Sequence, residues 1–289
     1  MEQSQIIASN LRAILSRIHA AAIKQKLEKR KYFRNQIPLL VAVSKTKSTE
    51  LIAYGVCLFV KFYRNSCYEA GQRHFGENYY KELEMKANEL QSRCPDIRWH
   101  FIGQLQSNKV GIYHFYAFIS FPNNSLLFCF LIERIFHFAI CNIFLFIRLI
   151  LSELEGFFLL KHCLLLHEEA LKRGKILRVL VQVNISKEMQ KAGTTEEQAI
   201  EIAKFIVEKC ASLKFSGFMM IGSIANENQD KSIEEFKKLF ELRERFCHLM
   251  GLEENNFDLS MGMSNDFEIA ILHGSSCVRI GSAIFGERS

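Results

Sequence analysis

Apolar and polar positions along this chain follow two rhythms that alternate from end to end. Ile6, Ile7, Leu11, Ile14, Leu15 and Ile18 recur at helical spacing, which predicts an amphipathic helix reaching about Leu27. After Pro38 the rhythm changes. Leu39 to Val43 is an unbroken apolar run that leaves through Ser44, Lys45, Thr46 and Lys47, the pattern of a strand buried on both faces in a parallel sheet. His74 to Asn78 reads as a short strand running into a loop, followed by a helix over about Tyr79 to Arg93 with its lysines and glutamates on one side. Trp99 to Gly103 and Ile176 to Asn184 are further strands. A capping box, Thr194-Thr195-Glu196-Glu197, then opens a helix. Phe215 to Gly222 is a strand, about Ser232 to Met250 a helix, and Phe257 to Gly262 and Cys277 to Phe285 are strands flanking a helix that Asn265 and Glu268 can cap. Strands separated by helices of ten or more residues predict βα units and a parallel sheet. Seven strands are clear, one short of a (β/α)8 barrel.

Two stretches break the alternation and share a composition. Tyr54 to Ser66 interrupts the helix expected after the first strand, and Gly111 to about Leu165 is crowded with phenylalanine, isoleucine and leucine without a steady period. Eleven of the 25 phenylalanines lie between Phe115 and Phe158, so the bias is local to that segment. Ile135 to Leu151 approaches membrane-spanning length, but His137, Asn142 and Arg148 inside it would be costly in lipid. Residues with T- and A-rich codons dominate both stretches, which points to translated intron-like sequence or an error in the gene model. The expected organisation is one barrel domain over residues 1–289, with atypical insertions at about 54–66 and 111–165.

Composition removes several function classes. The formal charge of +6 is spread along the chain, with no basic block interleaved with aromatics, so nothing supports nucleic-acid binding. Nine cysteines carry no CxxC or zinc-type spacing, and the polar start Met1-Glu2-Gln3-Ser4 is unlike a secretory signal. Reduced thiols in an intracellular, cytoplasmic protein are expected. The basic, acid-poor character of the first helix adds a weak mitochondrial alternative.

Chemistry concentrates at strand ends. Lys45 puts an amine at the carboxyl end of a buried strand, the face on which α/β folds keep their sites, and such an amine can form a Schiff base with a carbonyl ligand. Ser264 offers a hydroxyl where a helix begins, Gly281 allows close backbone approach to an anion, and Ser282 adds a donor. Arg279 ends an apolar run and is expected to point inward. Together these residues describe a site for a phosphorylated carbonyl compound.

The motifs VAVSKTK (Val41 to Lys47), HFGENY (His74 to Tyr79), WHFIGxLQSNK (Trp99 to Lys109), VLVQVN (Val179 to Asn184), SMGMSNDFExAI (Ser260 to Ile271) and VRIGSAIFG (Val278 to Gly286) together resemble the pyridoxal phosphate homeostasis protein family. The resemblance implies a (β/α)8 TIM barrel like the barrel domain of alanine racemase, with one βα unit disrupted by the Phe-rich insertion. It also implies pyridoxal 5′-phosphate in Schiff-base linkage to Lys45, phosphate on Ser264, Gly281 and Ser282, and Arg279 facing the pyridine nitrogen. Asn78, His100 and Met220 lie in pocket-lining motifs, though Met219-Met220-Ile221 departs from the commoner Met-Thr-Ile order. The expected function is a carrier or buffer in intracellular vitamin B6 homeostasis, monomeric, with pyridoxal-phosphate-dependent apoenzymes as recipients and no membrane or metal. A racemase-like enzyme is the alternative. It would need a second acid/base group, which alanine-racemase-like enzymes take from a domain after the barrel, whereas here the sequence stops at Ser289.

Overall fold

Among the described residues of the computed structural model, eight parallel strands close into a barrel, and their order around it is their order along the chain. Those residues are 2–28, 36–53, 66–103, 127–130, 160, 163–168, 170–188, 193–222 and 229–287. The strands are β1 (Leu39–Val43), β2 (His74–Glu77), β3 (Arg98–Phe101), β4 (Leu127–Phe130), β5 (Leu177–Gln182), β6 (Leu213–Met219), β7 (Asp258–Ser260) and β8 (Cys277–Ile280). The helices are α1 (Glu2–Leu27), α2 (Thr49–Ile52), α3 (Tyr80–Leu90), α4 (Glu196–Lys209), α5 (Gln229–Met250), α6 (Phe267–Leu272) and α7 (Ser282–Phe285).

The strand missing from the sequence pattern is β4, inside the Phe-rich segment. It pairs with β3 through His100↔Leu127 and with β5 through Leu127↔Arg178 to Phe130↔Val181. The seven strands legible in the sequence are thereby completed to eight. Without helical or alternating periodicity around it, a four-residue run of apolar residues carries no signal that separates it from its neighbours. Residues 54–65 and 131–159, including the candidate span Ile135 to Leu151, lie outside the described residues.

Several boundaries also move. The box that opens α4 is built on Thr195, whose Oγ1 accepts from the Gln198 backbone N–H while Gln198 Oε1 accepts from the Thr195 N–H. The run after Cys277 leaves the sheet at Ile280, and Ser282–Phe285 turns helical. The residue before α6 is Asp266, not Asn265, and its carboxylate accepts from the Met263 N–H at 2.6 Å.

Strand alternation decides what fills the barrel. Leu40, Ala42, Phe75, Val278 and Ile280 pack outward with Ile7, Leu11, Ile14 and Ile18 of α1, each such side chain contributing roughly 1.5–3 kcal/mol by burial. A second outer cluster joins β5 and β6 to α4 and α5, where the Phe246 ring meets Phe215 and Phe218 edge-on at 5.0 and 5.7 Å. The intervening positions face in. Val43, Ile102, Leu180 and Met219 form an aliphatic plug, and Gly76 leaves it room, since a Cβ there would meet Val41 Cγ1 at 3.0 Å and Ile102 Cδ1 at 3.2 Å.

Helix α1 contains the one helix among the described residues, Gln5–Leu27, long and apolar enough to cross a membrane. Its buried face lies on the barrel wall. Asn10 Nδ2 donates to the Ile284 carbonyl at 3.2 Å, and Arg17 grips Glu268 with two hydrogen bonds of 3.0 and 2.7 Å.

Candidate functional site

The carboxyl end of β1 is a tight turn. The Lys47 N–H donates to the Ser44 carbonyl at 3.0 Å, with Lys45 and Thr46 between them. Thr46 has φ 63°, a left-handed conformation that a β-branched residue adopts at a cost of about 1–3 kcal/mol. That geometry puts half-buried Lys45 at the barrel rim. Lys47 is committed elsewhere, its Nζ donating to the Glu287 carbonyl at 2.9 Å.

Beneath the turn lies a charged network that sequence reasoning missed. Lys86 is 1% exposed, and its ammonium donates to the Ser44 carbonyl (2.8 Å), Glu77 Oε1 (2.8 Å) and Glu82 Oε1 (2.7 Å). Glu77 Oε1 also accepts from Ser44 Oγ at 2.6 Å, and Glu82 Oε1 from the Thr46 N–H at 2.6 Å. Burial pushes the Glu77 carboxyl above its usual range, while Lys86 and Ser44 pull it back. A signal was available: Leu83, Lys86, Ala87 and Leu90 share the buried stripe of α3, so one lysine sits on the apolar face rather than with the exposed polar residues.

The two serines expected at the cup stand together. Ser264 and Ser282 place their Oγ atoms 3.1 Å apart, and Ser264 Oγ accepts from the Ala283 N–H at 3.3 Å, which leaves the Ser264 proton for another acceptor. Ser282 is open to solvent. Two glycines make the close approaches. Gly262 has φ 97°, and a Cβ there would fall 2.7 Å from Ala270 Cβ. A Cβ on Gly281 would come within 3.2 Å of the Val43 carbonyl.

Arg279 points inward as expected, held by Ser260 Oγ at 2.6 Å and the Met220 carbonyl at 2.7 Å. Met220 therefore contributes its carbonyl to this set, while its side chain joins the outer apolar core. His100 sits lower in the barrel, with Nε2 2.8 Å from His74 Nδ1. Burial holds His100 well below the usual imidazole range and takes His74 down to about 4, with Arg98 and Arg178 adding to both effects. Asn78 Oδ1 and His100 Nδ1 are buried without a hydrogen-bond partner. Of the expected site residues, Lys45, Asn78, Met220, Ser264, Gly281 and Ser282 follow the carboxyl ends of their strands, whereas Arg279 and His100 lie inside β8 and β3.

Fold and rim together define a class: a parallel β/α barrel with a lysine following β1 and a pair of serine hydroxyls following β7 and β8. The family model for the alanine racemase N-terminal domain matches residues 158–289. A pyridoxal phosphate homeostasis protein of Caenorhabditis elegans is 41% identical over 252 residues, which cover 86% of this chain and 85% of that protein. The chain belongs to the pyridoxal phosphate homeostasis protein family. Among solved structures, an unknown protein from Bifidobacterium adolescentis matches with a TM-score of 0.70 at 25% identity, covering 98% of this chain and 96% of its own. PipY of Synechococcus elongatus, with PLP bound, matches at 0.61 and 22% identity over 92% of this chain and 100% of its own, a likeness of fold.

Proposed function

We propose that this protein binds pyridoxal 5′-phosphate and serves intracellular vitamin B6 homeostasis, holding and handing on the cofactor rather than turning over a substrate. The observation that carries the reading is the seam between β1 and β8, where Val41 pairs with Arg279 and Ala42 with Ile280. Across that seam the turn bearing Lys45 stands beside Gly281 and Ser282. Pyridoxal phosphate, when bound, supplies an aldehyde that condenses with a primary amine and a phosphate dianion that needs donors. Lys45 is the amine, and the Ser264 and Ser282 hydroxyls with the Gly281 backbone take the phosphate. The buried, unpartnered Asn78 Oδ1 and His100 Nδ1 are polar atoms that suit a ligand rather than an empty apolar pocket. The names of the relatives point the same way.

The decisive experiment is borohydride reduction of the purified protein with absorbance spectra and peptide mapping. The label is expected on Lys45, and Lys45→Ala is expected to keep weaker, noncovalent binding. Label on Lys47 or elsewhere, with Lys45 unmodified, rejects the assignment.

A racemase-like enzyme is the second reading, favoured by the match to the alanine racemase N-terminal domain. The carrier is preferred because Arg279, the group expected at the pyridine nitrogen, is a permanently charged donor that disfavours a second positive charge on that nitrogen and so weakens the electron sink. Pyridoxal-phosphate-dependent apoenzymes are the proposed recipients, and a monomer in the cytoplasm, with a mitochondrial share, the proposed state. Cys67, Cys94, Cys163, Cys210, Cys247 and Cys277 are unbonded and buried, as suits a reducing compartment, with Cys67 and Cys163 pushed up to about 12 by burial. We also read the chain as one domain with atypical, intron-like insertions at about 54–66 and 111–165, the second of them containing β4. Transcript reads compared with exon boundaries test this, and continuous reads with matching peptides reject it.

A further inference from the structure

The strained turn at Lys45 does not hold itself. Thr46 stands in the left-handed region at φ 63°, a conformation that favours glycine and persists only where surrounding contacts enforce it. The contact at that residue is the 2.6 Å hydrogen bond from its N–H to Glu82 Oε1. On the other side of Lys45, Ser44 is fixed three times over: its N–H donates to the Gly76 carbonyl at 3.0 Å, its hydroxyl to Glu77 and its carbonyl accepts from Lys86. The Lys86 ammonium has three protons and spends them on Ser44, Glu77 and Glu82. Both residues flanking Lys45 are therefore tied to one buried cation.

We propose that Lys86, with Glu82 and Glu77, is the positioning device for Lys45: it fixes the two flanking peptides so that the rim amine is presented beside the cup on β7 and β8. None of the three is required to touch the ligand. Their work is to hold Lys45 in a turn that its own sequence disfavours. The inference rests on Lys45 being the amine that condenses with the cofactor.

Its physical basis is orientation, since an error of about 1 Å in a reacting group can cost on the order of a hundredfold in rate. Glu82→Ala removes the acceptor for Thr46 at a partly exposed position, its side chain being 18% exposed in the network, so the variant is expected to fold. Glu82→Gln keeps the acceptor oxygen. Thr46→Gly takes the left-handed conformation without strain.

The test follows the rate of imine formation at Lys45 with added pyridoxal phosphate, by stopped-flow absorbance, together with borohydride trapping and peptide mapping. Folding of each variant is checked by thermal melting. Glu82→Ala and Lys86→Met are expected to slow the step roughly ten- to hundredfold and to move part of the trapped label to Lys47. Glu82→Gln is expected to stay within about threefold of the parent, and Thr46→Gly in the Glu82→Ala background to restore most of the rate and the selectivity for Lys45. The rescue separates positioning from mere stability, because a general loss of fold would not return both rate and site selectivity. If Lys86→Met does not fold, the Glu82 series decides alone. Folded Glu82→Ala with the parent's rate and labelling overturns the positioning role while leaving the lysine assignment intact. Failure of the unaltered protein to label at Lys45 overturns both.

Discussion

Replacing Lys86 with methionine isolates the energetic weight of the buried network. Glu77 is 0% and Lys86 1% exposed, and removing one member of such a pair leaves an uncompensated charge that costs about 3–5 kcal/mol. Folding free energies of domains are about 5–15 kcal/mol, so the loss is a large fraction of the total. For a chain of this size about 2 °C of melting temperature goes with each kcal/mol, which sets the expected drop at roughly 6–10 °C. Glu77→Gln combined with Lys86→Met removes both charges and keeps an acceptor for Ser44 Oγ. It is expected to recover on the order of 2 kcal/mol relative to Lys86→Met alone, a coupling well above the additivity error of about 0.5 kcal/mol. Urea unfolding of the parent, both single variants and the double variant closes the cycle. The deficit also has a pH sign. Burial already holds the Glu77 pKa above its unfolded value, and loss of the cation raises it further. The deficit of Lys86→Met should therefore shrink as pH falls and grow as it rises through the folded pKa. A cost below about 1 kcal/mol, or strictly additive variants, would refute the reasoning.

Ser264→Ala should weaken pyridoxal phosphate roughly ten- to hundredfold, the worth of one charge-assisted hydrogen bond at about 1.5–3 kcal/mol, and leave unphosphorylated pyridoxal nearly unchanged; equal losses in titration calorimetry would count against the cup. Gly262→Ala combines a left-handed φ with a contact of 2.7 Å to Ala270 Cβ and should lower stability by roughly 2–5 kcal/mol, read by thermal melting. His74, held at about 4 in the folded chain, titrates near its usual value of about 6.5 when unfolded. Its contribution is thus present above that value and lost as pH falls toward 4, so the urea midpoint should drop over that window and His74→Asn should flatten the drop. With common amino acids, exchange of the Cα proton in deuterated solvent, followed by NMR, should stay far below enzyme-like rates. Rapid exchange abolished by Lys45→Ala would establish a catalyst.

The local patterns were legible because each depends on near neighbours. Leu39 to Val43 declared a buried strand, the period of Ile7, Leu11, Ile14 and Ile18 a packed helix, and Lys45, Ser264, Arg279 and Gly281 stood in motifs distinctive enough to suggest a family before any contact was known. β4 was not legible. Its identity comes from pairing with β3 and β5, long-range partners that no local period records. The swap from Asn265 to Asp266 ahead of α6, and the end of β8 at Ile280, were likewise decided by hydrogen bonds within ångströms rather than by propensity.

What the chain determined by itself was therefore the alternation of strands and helices and the inventory of reactive groups at strand ends. Closure of the barrel decided which of those groups meet. Pairing β1 with β8 joins residues more than two hundred positions apart and brings Val43, two residues before Lys45, against Gly281. Folding α3 under the first turn carries Lys86 to Ser44 and Glu77, while Glu82 stands one helical turn away on α3 itself. A lysine read in sequence is a solvated charge by default, because desolvating it is costly. Only the tertiary structure supplies Ser44 and Glu77, two of the three acceptors that let Lys86 be buried beneath the turn at Lys45.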